Sequence, residues 1–224
     1  MATGTVTSER LAQAPSSQPS AASPTTYVLP TAILMVGAMY IVVSTFLPYW
    51  ELRLHAPQYP GGLHIELFVN RVAGDVAEID GLNHYIGMAR LEEAAAFERS
   101  LAVLAVGAVG LLLLAATFIQ SRWAGLVALP AVLYPTIFLA DLYFWLYTFG
   151  HDLDPKAALS TSIKPFTPMI LGEGRIGQFR TVATLEDGFY LAVLGSLAVL
   201  IGLYFHRRAY RPLAEVNDHP ASSS

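Results

Sequence analysis

His84 and Met88 stand four residues apart in the string Leu82-Asn83-His84-Tyr85-Ile86-Gly87-Met88. On a helix that spacing puts both side chains on one face, near enough to share a ligand. Imidazole with thioether is a soft pair suited to copper, Cu(I) above all. His55, His64, His151 and Met169 could complete such a site if the segments that carry them meet. The competing reading is plain: these are surface or hydrogen-bonding side chains, since His and Met fall four apart often by chance.

A second constellation is acidic. Asp75, Glu78 and Asp80 form the densest cluster of carboxylates, with Glu92, Glu93 and Glu98 further on. Carboxylates could hold a hard cation, but EF-hand spacing is absent. The same acids could be a solvated surface, or a face that steers a basic partner. Asp141 is different, because it lies well inside an apolar run. An intramembrane acid is expensive and should be paired, protonated or beside water. No Lys or Arg in the apolar runs can pair with it; Tyr134, Thr136 and Tyr143 are candidate neighbours. It reads either as a proton- or quinol-linked site or as an interhelical hydrogen bond.

The elements that must position these residues are hydrophobic. Of 224 residues, 54% are hydrophobic and 13% charged, and mean hydropathy is +0.48. Soluble domains average about 25% charged residues, so lipid must replace water over much of the surface. Four apolar runs span 28–49, 101–119, 123–149 and 188–205. A crossing takes about 20 residues at a rise of about 1.5 Å each, so every run can span. Runs of this length, uncharged or nearly so, argue against buried helices of a soluble bundle. The third, broken by Pro130 and Pro135, could tilt or kink. Small residues such as Gly37, Gly110, Gly195 and Gly202 would let the helices approach closely.

The expected fold is thus an all-α integral membrane protein of four helices, occupying residues 28–206. Residues 1–27 read as a disordered tail rich in Ala, Ser, Pro and Thr, and 207–224 as a cytoplasmic tail. Only Gln120-Ser121-Arg122 joins the second run to the third, which makes a tight hairpin. The long connections, 50–100 and 150–187, therefore share one side. They should form a small mixed α/β cap, the second docking on the first. Residues 63–69 and 71–79 read as strands around a turn at Asn70, and 89–99 as a short helix. Counting Lys and Arg near the span ends leaves the orientation open. The long-loop side has more, including Arg53, Arg90 and Arg99, but Arg207-Arg208 abut a span on the other side.

Several function classes are excluded. The chain has no cysteine, so disulfides, iron–sulfur clusters, thiolate metal sites and covalent haem c are ruled out. Net charge is −4, and no basic patch invites nucleic acid. No Walker, Rossmann or hydrolase motif is present, so no nucleotide is expected. The aromatics Tyr143, Phe144, Trp145, Tyr147 and Phe149 read first as an interfacial belt.

The strings Ala56-Pro57-Gln58-Tyr59-Pro60-Gly61-Gly62-Leu63, Gly74-Asp75-Val76 and Leu82-Asn83-His84-Tyr85-Ile86-Gly87-Met88 carry a resemblance, as do Gly150-His151-Asp152-Leu153-Asp154-Pro155 and Lys164-Pro165-Phe166-Thr167-Pro168. Over roughly residues 28–206 the chain resembles the NosB-like four-span membrane proteins encoded beside clade II nitrous oxide reductases. The resemblance implies a bacterial inner-membrane protein with cytoplasmic termini and long loops on the periplasmic face. It implies a non-enzymatic accessory role for a periplasmic copper enzyme, in copper-site maturation, anchoring or electron supply. The alternative is a membrane subunit of an electron-transfer complex with a quinol- or proton-linked site near Asp141. Expected partners are the bilayer and a periplasmic or membrane protein; copper is the one cofactor considered.

Overall fold

Each apolar run folds as helix, and the two polar segments between them fold together as one sheet. The computed structural model describes residues 25–119, 121, 123–159, 161–176 and 179–218. Helix α1 is Thr25–Ser44, α2 Val76–Ile86, α3 Ala96–Ala116, α4 Trp123–Val127, α5 Leu129–His151 and α6 Asp187–Asp218. Among the described residues, three helical stretches are long and apolar enough to cross a membrane: Ala96–Ala116, Trp123–His151 and Asp187–Ala209, with mean hydropathies of 2.1, 1.8 and 2.0. Val28–Ser44 is a shorter apolar helix.

The first run, expected to reach residue 49, stops early for a local reason. Ser44 donates its hydroxyl to the Ile41 carbonyl at 2.7 Å and meets the Tyr49 hydroxyl at 2.6 Å. Pro48 has no N–H to give, and Tyr49 N–H donates to Leu67 O at 2.8 Å, which ties the chain to the sheet. The third run is interrupted at Ala128, with Pro130 in the first turn of α5, where proline disturbs a helix least. The fourth run folds as α6, which continues past the expected boundary at 206 as far as Asp218. The expected N-terminal tail falls largely on residues 1–24, outside the described residues; Thr25 already begins α1.

Strands β1 (Trp50–Ala56), β2 (Tyr59–Leu67) and β3 (Val72–Gly74) come from the first polar segment, and β4 (Gly172–Ile176) and β5 (Phe179–Leu185) from the second. Their order is β3-β2-β1-β5-β4, antiparallel throughout. β5 lies on β1 in register from Trp50↔Leu185 to His55↔Arg180, so the second segment docks on the first by backbone hydrogen bonds. The cap is a five-stranded sheet with α2 beside it, and all-α describes the helical bundle alone. The expected strand at 71–79 is cut short at Gly74, whose φ of 95° suits glycine, and α2 follows at once. The helix expected at 89–99 resolves into a 3₁₀ turn, Leu91–Glu93, and the first turn of α3.

Side chains alternate across β1 as a strand requires: Trp50, Leu52, Leu54 and Ala56 are buried, whereas Arg53 and His55 are exposed. The buried face packs on Ile79 of α2 and Leu142 of α5, which fixes the cap to the bundle. Trp50 adds a tie, donating its indole N–H to Ile170 O at 2.6 Å.

Among the helices, α1 lies most closely on α6. Glycines make that approach: a Cβ on Gly195 would lie 2.9 Å from Ile41 Cγ1 and 3.0 Å from Gly37 O. Small residues at such seams let backbones meet. Gly195→Val is therefore expected to overpack the seam and cost about 2–3 kcal/mol. Thermal unfolding in detergent reads it; an unchanged midpoint would mean the seam is loose.

Candidate functional site

The residues singled out in the sequence are distributed over several surroundings. His84 is in the last turn of α2 and exposed, with Tyr85 edge-on at 6.2 Å between ring centroids. Met88 lies beyond the helix end. Gly87 adopts φ 84°, so the helical spacing that would pair the two residues is interrupted between them. Met88 lines a partly open cavity instead. His55 and His64 share the outer face of the sheet, lining a shallow polar hollow with Glu51, Arg53 and Glu66. His151 is exposed at the end of α5, stacked on Tyr147 at 4.0 Å with its Nδ1 2.9 Å from Tyr147 O. Met169 is exposed in the second polar segment. Among the described residues, no three His, Asp or Glu side chains form a group that could hold a metal ion.

The acidic cluster is also divided. Asp75 precedes α2 and staples it to the sheet: its Oδ2 accepts from His64 N–H at 2.9 Å and pairs with His64 Nδ1 at 2.9 Å. Glu78 is exposed in the first turn of α2. Asp80 is 9% exposed, and its Oδ1 accepts from Leu91 N–H at 2.7 Å, anchoring the 3₁₀ turn to α2. Asp80→Ala leaves that N–H without its acceptor and is expected to destabilise the cap by about 1–3 kcal/mol. Hydrogen exchange at residues 89–95 should rise with it; unchanged protection there would show that Asp80 does not hold the turn.

Asp141 reaches the feature that does gather chemistry. Beneath the sheet lies a cavity of about 320 Å³, walled by β1 and β2 above, α2 and the start of α3 on one side, and the second half of α5 on the other. The lining is mostly apolar, from Trp50, Leu52 and Ile65 of the sheet to Phe138 and Leu142 of α5. Into it come Asn83, Glu98, Arg99, Tyr134, Asp141 and Trp145. Tyr134 is already engaged: Tyr49 donates its hydroxyl to it at 3.3 Å. Asn83 Nδ2, Arg99 Nε and Trp145 Nε1 are buried without a hydrogen-bond partner. The Trp145 indole lies beside the Asp141 carboxyl, one helical turn away, yet closes no hydrogen bond of ordinary geometry with it.

Local structure explains the convergence. α2 buries Ile79, Asn83 and Ile86 on one face, so Asn83 points inward while His84 points out. The second polar segment clamps that helix end, with Asp154 N–H donating to Gly87 O at 2.8 Å and Leu159 N–H to Tyr85 O at 2.9 Å. Arg99 belongs to the first turn of α3 and donates Nη2 to Glu92 O, which holds the guanidinium over the cavity. Just before it, Ala95 takes φ 50°, alone among the described non-glycine residues in having positive φ. Such backbone strain gathers at ligand clamps and switch regions. The sequence singles out Asp141 with Tyr134 as a candidate neighbour, and both line the cavity; it does not join Asn83, Arg99 or Trp145 to them. In the sequence Trp145 reads as part of an interfacial belt, Arg99 as a charge near a span end, and Asn83 only as part of a string. Asn83 sits three residues before the helix end on the apolar face set by Ile79 and Ile86, which was its one local signal.

The cavity has the form of a small-molecule site: concave, mostly apolar, of ordinary size, with a few polar residues in its wall. No protein-family model matches the chain, and none of the curated proteins compared with it is similar enough to match.

Proposed function

We propose that this chain is a four-span, non-enzymatic accessory protein of the bacterial inner membrane that holds an amphiphilic molecule beneath its cap, beside Asp141. The observation that carries the reading is the cavity at the junction of cap and bundle, whose described wall is mostly apolar but includes Asn83, Glu98, Arg99, Tyr134, Asp141 and Trp145. The fourth span in this reading is α1: its 20 residues give a length of about 30 Å, and it follows α6 closely. The shared sheet supports placing both long segments on one side of the bilayer. In the orientation proposed, that side is periplasmic and both termini are cytoplasmic.

A bound amphiphile beside an intramembrane acid fits a membrane subunit that serves an electron-transfer complex through a quinol- or proton-linked site. The copper-enzyme setting implied by the resemblance belongs to the same proposal as the identity of the partner. Copper handling by His84 and Met88 has no comparable support, because one faces solvent and the other the cavity. The test is to fill the cavity from α3. Ala102 lines it, and Ala102→Trp is expected to displace an amphiphile that the unaltered chain retains through purification. Equal amphiphile content in both proteins would remove the proposal.

A further inference from the structure

The cavity also says what kind of head group it would take. Asn83 is 6% exposed, lines the cavity, and leaves Nδ2 without a partner. Trp145 Nε1 and Arg99 Nε repeat the pattern from α5 and α3. A buried donor left unmade is costly and calls for an acceptor. Three buried donors on three elements around one apolar space lack a partner of ordinary geometry, with Trp145 Nε1 lying beside the Asp141 carboxyl, and a carbonyl or hydroxyl oxygen would satisfy them.

Charge narrows the class. Among the described residues, the wall carries two acids, Glu98 and Asp141, and one base, Arg99, so an anionic head such as a phosphodiester would meet more acids than bases. A neutral head avoids that repulsion, and a hydroxyl on it could donate to Asp141. Size narrows it further. A partly open cavity of about 320 Å³ has room for a head-group ring and the start of a tail. The route for a tail is lateral. α3 and α5 touch only sparsely, and the wall continues down both through Ala105 and Ile137 within their apolar stretches.

We propose that the cavity takes a neutral, single-tailed amphiphile with a carbonyl- or hydroxyl-bearing ring, the quinone–quinol class. Asn83 and Trp145 donate to its oxygen, and the tail leaves toward lipid between α3 and α5. This rests on the reading of the cavity as a binding site.

The experiment is equilibrium dialysis of the full chain in detergent against a decyl-substituted benzoquinone and, separately, a short-chain phosphatidylglycerol. Asn83→Leu and the milder Trp145→Phe are compared with the unaltered chain, and melting temperatures check their folding. Quinone binding is expected to weaken about tenfold in each variant, the loss of one buried hydrogen bond. If Asn83→Leu does not fold, Trp145→Phe decides alone. Quinone bound equally by the variants, or phosphatidylglycerol bound more tightly than quinone, overturns the head-group assignment but leaves a binding cavity. Binding of neither probe, with Ala102→Trp indistinguishable from the unaltered chain, overturns both proposals.

Discussion

Gly150→Ala is expected to abolish accumulation of folded protein, or to cost about 3 kcal/mol or more where some survives. Gly150 is buried in the last turn of α5. Phe166 N–H donates to its carbonyl at 3.0 Å, and a Cβ there would overlap the Phe166 carbonyl oxygen. The obstruction is backbone, so no side chain can swing aside. Relief would require parting the second polar segment from the helix end, with loss of the bond that seats it. Gly107→Ala is the matched control: it lies in α3, where an added Cβ meets nothing within 4 Å. Detergent-solubilised yield and thermal midpoint should fall for the first and hold or rise slightly for the second. Equal behaviour of the two would mean that α5 and the segment at 166 do not meet.

Ala102→Trp is expected to have the largest effect on ligand retention, about tenfold or more in apparent affinity. Ala102 faces the cavity from α3, three residues before Ala105 and four before Val106, which continue the same wall. An indole placed there occupies space that is otherwise open, so it need not displace core atoms. Overpacking penalties arise where a core is already full, and this one is not. Folding should therefore survive while the ligand space closes. The Val109 and Leu113 positions of α3 lie in the main core, where the same change would only unfold the protein.

Much of the architecture was legible in the runs themselves. Stretches with almost no charge and enough length for a bilayer need no tertiary information to be recognised. The sheet was less so, because β1 pairs with β5 across the whole of α3, α4 and α5. Such pairing leaves only a local alternation in each strand, and the short, glycine-rich β4 shows little of it. The His84–Met88 pairing illustrates a signal that was present and outweighed. Gly87 between them takes the left-handed conformation that commonly ends helices, and it turns Met88 inward while His84 stays out. Asn83, Arg99 and Trp145 converge only because the cap folds over the bundle. No spacing along the chain joins residues on three separate elements, whereas Asp141 stood out alone through the cost of an acid among apolar neighbours.

The most direct test of the account is mass spectrometry of the solvent extract from chain purified out of its own membranes, beside the Ala102→Trp variant prepared identically. The account predicts about one equivalent of a neutral, single-tailed amphiphile per unaltered chain, absent from the variant, with general phospholipid the same in both. Extracts that match in every component would contradict it, and the cavity beneath the cap would then be a packing void without a ligand.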